Sequence, residues 1–159
     1  MVNTFLPWPD HNRSAQELDN KRLGKQRVEA MQILRANLGL TNGWKNHPAA
    51  VMWKGHEGQL LLYTVAICMR WKSLGYKDTV LDKVMSLFYD IPKEAFKKPW
   101  WLGHRKFHKS HQSNLRRKDA NHYKFNVPDD LPYLWPKGDG TIAPLEEKKG
   151  TTRASKSNS

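Results

Sequence analysis

The sequence predicts an all-α protein: one compact helical domain, with an extended segment before the helices and an aromatic- and proline-rich segment after them. Three observations carry the prediction. The chain has 159 residues, a size that suits one domain around one hydrophobic core. Apolar residues recur at helical spacing in several long stretches, bounded by capping residues or glycines. No stretch shows a convincing strand alternation.

The elements follow in order. Pro7 and Pro9 block helix early, so the first thirteen residues are expected to be extended. Ser14 and Glu17 have the spacing of a capping box. Leu18, Leu23, Ala30, Met31, Leu34 and Leu38 then keep helical register up to Gly39, giving a helix over 14–38. Gly24 inside it suggests that another backbone comes close. A short helix is expected over 48–53 and a broadly apolar central one over 57–74, with Leu60, Leu61, Val65, Cys68, Met69 and Trp71. A third long helix is expected over 78–89, capped by Asp78, with Val80, Leu81, Val84, Met85 and Phe88 inward. Pro92 and Pro99 bracket a connector, and a fourth helix covers 103–120. From Phe125 on, an extended segment wraps the body. The helical domain is drawn over 1–143, and the Ser-, Thr-, Lys- and Gly-containing stretch 144–159 is expected to be a disordered basic tail.

Charge gives the first functional direction. Lys and Arg total 27 against 15 acidic residues, a net +12, which favours a polyanionic partner: DNA, RNA or anionic lipid. No apolar run reaches the length of about 20 residues that spans a bilayer, and no signal peptide is recognisable. Cys68 is the only cysteine, so neither an internal disulfide nor a thiolate metal cluster is expected, and it reads as a core filler. A cytoplasmic setting in association with DNA is expected, without membrane or obligate protein partner, as a monomer.

Three constellations could carry chemistry. Arg22, Lys25, Gln26 and Glu29 share one face of the first long helix. A solvated salt-bridge strip accounts for the spacing. So does a single carboxylate set among phosphate-binding cations, where it would serve as acid/base or stabilise positive charge on a reacting sugar. His104, His108 and His111 recur along the fourth helix, interleaved with Arg105, Lys106, Lys109, Arg116, Arg117 and Lys118. Phosphate contact fits them better than zinc, because no His-Glu-x-x-His motif or cysteine partner accompanies them; an exposed basic helix is the plainer account. The loop with Trp44, Lys45, Asn46 and His47, continuing through Trp53, Lys54 and His56, interleaves aromatics with cations and suits stacking on an unpaired base. Trp53 as part of the core is an equal alternative. Phosphate-binding loops, dinucleotide fingerprints, nucleophile elbows and clustered carboxylates are missing. Any chemistry carried by these constellations would use no metal and no cofactor.

A family resemblance enters with the order of several short segments: Asn3-Thr4-Phe5; Leu23 with Glu29; His47-Pro48; Met52-Trp53-Lys54-Gly55; Gly75-Tyr76-Lys77-Asp78-Thr79; His108-Lys109-Ser110-His111; Leu115-Arg116-Arg117-Lys118-Asp119; and His122-Tyr123. In this order the chain resembles the pyrimidine-dimer DNA glycosylases, including the phage endonuclease V-type enzymes. The resemblance implies a compact helical fold and a bifunctional glycosylase/AP lyase acting on double-stranded DNA with a base lesion. It implies that the N-terminal α-amine attacks C1′, that a Schiff base forms, that β-elimination cuts the strand, and that a base is flipped from the stack. Glu29 matches the family's essential glutamate. Val2 would present the amine once Met1 is removed, and Lys25 is a fallback. The expected DNA contacts are Arg22, Lys25, Gln26, His47, Trp53, Lys54, His56, His104, Arg105, His108, His111, Arg116, Arg117 and Lys118. A relative acting on another modified base, a non-enzymatic DNA-binding protein and an RNA-binding protein are the alternatives.

Overall fold

Two aspartates decide where the first helices begin. The structure, a computed structural model, describes residues 2–145. Asp10 caps α1 (His11–Glu17), accepting from the Arg13 amide at 3.0 Å. Asp19 caps α2 (Asn20–Asn37), accepting from the Arg22 amide at 3.3 Å. Each satisfies an amide that has no partner within its helix. The helix expected over 14–38 is therefore two, parted at Leu18, whose backbone is extended and whose side chain is buried. Ser14 is not a cap. Its hydroxyl accepts from Trp8 N at 3.1 Å and donates to Trp8 O at 2.9 Å, and Glu17 accepts from the Trp8 indole. The spacing of a capping box is real, but both side chains serve the incoming chain.

α3 (Pro48–Val51) is one turn, with His47 as its cap and proline at its start. α4 (Glu57–Ser73) is the expected central helix and packs on α2, on α1 and on α5 (Leu81–Met85). Leu60, Leu61, Tyr63, Ile67 and Cys68 of α4 are buried in the common core with Trp53, Trp101 and Trp135. Burial pushes the Cys68 thiol up to about 12, so it stays protonated. Helix α5 is shorter than expected. Asp78 accepts from Leu81 N and also pairs with Arg27 at 2.5 Å, while Val80 and Val84 face inward. Met85 and Phe88 are exposed, contrary to expectation, because the chain leaves the helix for a tight turn at Phe88–Asp90. A second such turn, Lys93–Phe96, lies in the proline-bracketed connector.

Glycines mark two close approaches. A Cβ on Gly58 would stand 2.4 Å from the Phe96 ring, so α4 and the 93–96 turn meet only over hydrogen. A Cβ on Gly24 would stand 3.0 Å from the Trp71 ring; the close neighbour is an indole rather than the expected backbone.

α6 (Arg105–Lys118) follows, capped by His104, whose Nδ1 accepts from Phe107 N at 3.4 Å. The chain then wraps back and forms a ribbon not anticipated from sequence: β1 (Leu134–Pro136) antiparallel to β2 (Ile142–Pro144), with Trp135 opposite Ala143. Three-residue strands are too short to display an alternation. Gly140, at φ +86°, makes the turn, and Asp139 accepts from Thr141 N. Of the stretch expected as a tail, Pro144 ends β2, and residues 146–159 lie outside the described residues.

Candidate active site

A buried extended chain needs partners for its amides and carbonyls. Residues 2–7 are buried and pair with no strand, so side chains of three helices supply those partners. Gln26 of α2 is fully buried; its amide donates to Asn3 O at 2.6 Å and its carbonyl accepts from Phe5 N at 2.7 Å. The Tyr63 hydroxyl of α4 lies 2.7 Å from Phe5 O and 2.6 Å from Gln26 Oε1. On α6, His111 Nδ1 accepts from Leu6 N at 3.0 Å, His108 Nδ1 meets Leu6 O at 2.7 Å, and the Gln112 amide donates to Pro7 O at 2.8 Å. Thr4 Oγ1 accepts from the Trp53 indole at 3.0 Å.

These contacts fix histidine chemistry. His108 Nε2 accepts from Gly103 N, so its proton sits on Nδ1 and the ring is neutral. His111, accepting at Nδ1, carries its proton on Nε2. Burial holds both rings below the ordinary histidine pKa, His111 well below it. Gln26, Trp53, His108 and His111, expected at a DNA-contacting surface, are instead buried, and each anchors the start of the chain. Sequence spacing could not separate this from a surface face, because the occupant of that face comes from residues 2–7.

The anchored segment leads into a cleft of about 240 Å³ lined by Asn3, Phe5, Lys21, Arg22, Lys25, Glu29 and Lys118. Glu29 is its carboxylate. Burial raises the Glu29 pKa, against Lys25, the Asn3 backbone amide and Lys118, which favour the charged form. A half-buried carboxylate whose pKa is pushed upward among cations suits proton transfer to and from a bound polyanion. Arg22 is held from behind by Asp19 at 3.2 Å, and Asp19 accepts a short hydrogen bond from the Tyr123 hydroxyl. Together these bonds and the Arg22 guanidinium keep the Asp19 carboxyl below its usual range despite partial burial.

The structure thus brings Arg22, Lys25, Glu29 and Lys118 together beside the chain's beginning. Val2 itself is 3% exposed and packs in the core, one residue before Asn3. Lys21, Asn3 and Phe5 belong to the cleft and were not singled out from the residues; Lys21 differs in sequence from any other exposed lysine in nothing but its place on α2. The other expected contacts are dispersed. Lys54, His104 and Arg105 are exposed, and His47 and His56 are half-buried. Arg116 donates to Val127 O, and Arg117 donates to Asp129 O and Leu131 O, so both tie down the segment after α6. A larger groove of about 1080 Å³ runs between α1, α6 and residues 122–127, past Trp8, Arg105, Lys109 and Phe125. Its acidic lining residue, Glu17, accepts a hydrogen bond from the Trp8 indole. Among the described residues no group of three or more His, Cys, Asp or Glu side chains could hold a metal ion, and no helix is long and apolar enough to cross a membrane.

Fold and cleft define a small basic helical protein in which the half-buried carboxylate of Glu29 lies among Lys21, Arg22, Lys25 and Lys118. A family model described as pyrimidine dimer DNA glycosylase matches residues 2–84, from the anchored segment through Glu29 to α5. The chain belongs to the pyrimidine dimer DNA glycosylase family. Comparison with curated proteins and with solved structures yields no match.

Proposed function

We propose that the protein is a DNA glycosylase with AP lyase activity on DNA carrying damaged pyrimidines, and that its nucleophile is the α-amine of Val2 after removal of Met1. The observation that supports this most directly is that Asn3 and Glu29 line one cationic cleft. Successive Cα atoms are about 3.8 Å apart, so the Val2 nitrogen is confined to the neighbourhood of that cleft.

The chemistry follows from the groups present. An α-amine has a reference pKa of about 7.7–8.0, so a useful fraction is unprotonated at neutral pH; surrounding lysines and Arg22 favour the free amine further. Its lone pair forms a bond to C1′ as the bond from C1′ to the damaged base breaks, and the base leaves with the electron pair and a proton. Opening of the sugar ring gives the Schiff base. Loss of a C2′ proton then expels the 3′ phosphate, which cuts the strand. Glu29 exchanges protons in these steps and, while ionised, stabilises the cationic sugar. Lys21, Arg22, Lys25 and Lys118 hold phosphates of double-stranded DNA. No metal or cofactor takes part.

Borohydride trapping tests the reading. Incubation with a duplex carrying an abasic site or a pyrimidine dimer, followed by reduction, is expected to give a covalent adduct on the N-terminal peptide. A correctly processed protein that forms no adduct on either duplex refutes it; an adduct on Lys25 moves the nucleophile.

A further inference from the structure

Asn3 is held in three directions. Its side-chain carbonyl accepts from Thr4 N at 2.7 Å, its backbone carbonyl accepts from Gln26, and its side-chain amide donates to the Tyr133 hydroxyl at 2.6 Å. The first two partners lie in the extended segment before α1 and in α2. The third arrives from 130 residues away, in the segment after α6, outside the stretch matched by the family model.

Tyr133 is itself fixed. Its ring packs edge-on to His111 and at a tilt on Trp135, each at 4.9 Å between centroids. On either side, Leu131 N donates to Ser113 and Leu134 N to Ser110, both on α6, and Arg117 holds the Leu131 carbonyl. A rigid hydroxyl therefore grips the residue that follows Val2 and lines the cleft beside Glu29.

We propose that Tyr133 is a positioning residue for the reaction: through Asn3 it sets where the Val2 nitrogen stands relative to Glu29. The inference rests on the reading of the Val2 amine as nucleophile. Attack requires reacting atoms about 3–3.5 Å apart, and a misplacement of about 1 Å costs on the order of a hundredfold in rate. Gln26 fixes the backbone carbonyl of Asn3 but leaves the side-chain amide to Tyr133. Loss of the hydroxyl leaves that amide without its long-range anchor, and the preceding nitrogen gains freedom.

The test uses the full chain as wild type, Tyr133→Phe, Asn3→Ala and the double variant, with a duplex containing an abasic site. Single-turnover borohydride trapping at saturating DNA gives the rate of covalent attack, anisotropy gives the DNA affinity, and thermal melting checks the fold. Tyr133→Phe removes one oxygen and keeps the ring. It is expected to trap about tenfold more slowly, with DNA affinity within about twofold of wild type and a displaced pH midpoint for trapping. The double variant is expected to be no slower than Asn3→Ala alone, since the two residues act as one device. Wild-type trapping by Tyr133→Phe overturns the inference, and so do losses that add in the double variant. Absence of any N-terminal adduct in the wild type overturns the nucleophile assignment, and the inference with it; a wild type that traps beside an unaffected Tyr133→Phe overturns the inference alone.

Discussion

Replacing Gln26 by leucine probes the feature that most organises this molecule. Leucine fits the space approximately but offers no hydrogen bonds. Phe5 N–H and Asn3 C=O would then lie buried without partners, while Phe5 O keeps the Tyr63 hydroxyl. An orphaned buried polar group costs about 1–3 kcal/mol, so the two together cost about 2–6 kcal/mol. For a chain of this size about 1 kcal/mol shifts Tm by 2–4 °C, and a fall of roughly 5–20 °C is expected. Urea unfolding should show a lower midpoint at unchanged slope. Amide exchange at Phe5 should rise by more than the global loss of stability, because the segment opens locally before the helices do. Lys25→Leu, one position away but exposed, is the control and should stay within about 0.5 kcal/mol of wild type. A Gln26→Leu protein as stable as that control, with the Phe5 amide still protected, would refute the idea that Gln26 holds the start of the chain.

Three further expectations follow from particular residues. Glu29→Gln should bind duplex DNA as well as wild type and cut abasic DNA about 10²–10⁴-fold more slowly; wild-type cleavage in that variant excludes Glu29 from proton transfer. Stability should fall as pH drops from 7 to 5. His108 and His111 titrate below their unfolded value of about 6.5, so their contribution is complete above that pH. Below it the unfolded chain takes protons that the folded one refuses, at up to about 1.4 kcal/mol per pH unit for each ring. Denaturation midpoints that stay flat from pH 7 to 5 would contradict the neutral assignment. Gly58→Ala should destabilise by about 1–3 kcal/mol, because the new methyl meets the Phe96 ring. Phe96→Leu should recover part of that loss in the double variant, and full additivity of the two changes would speak against the contact.

The sequence by itself determined the helical class, the central position of α4, the burial of Cys68 and the basic character of the surface. These depend on composition and on local periodicity, which residues carry wherever they are placed. It also put Arg22, Lys25 and Glu29 on one helical face, and that face does line the cleft. Tertiary structure decided the rest, because the deciding partners are distant in the chain. Spacing merged α1 and α2 into one helix, since Leu18 keeps the apolar register; the break comes from Asp19, whose carboxylate caps α2 and is gripped by Tyr123, which lies 104 residues further along the chain. Gln26, His108 and His111 carry the same polar signature as groove-facing residues. Only the passage of residues 2–7 across them shows that their hydrogen bonds are spent on a buried backbone. The cleft likewise exists only when Asn3, Glu29 and Lys118 meet, and no local pattern encodes a meeting of residues 26 and 89 positions apart.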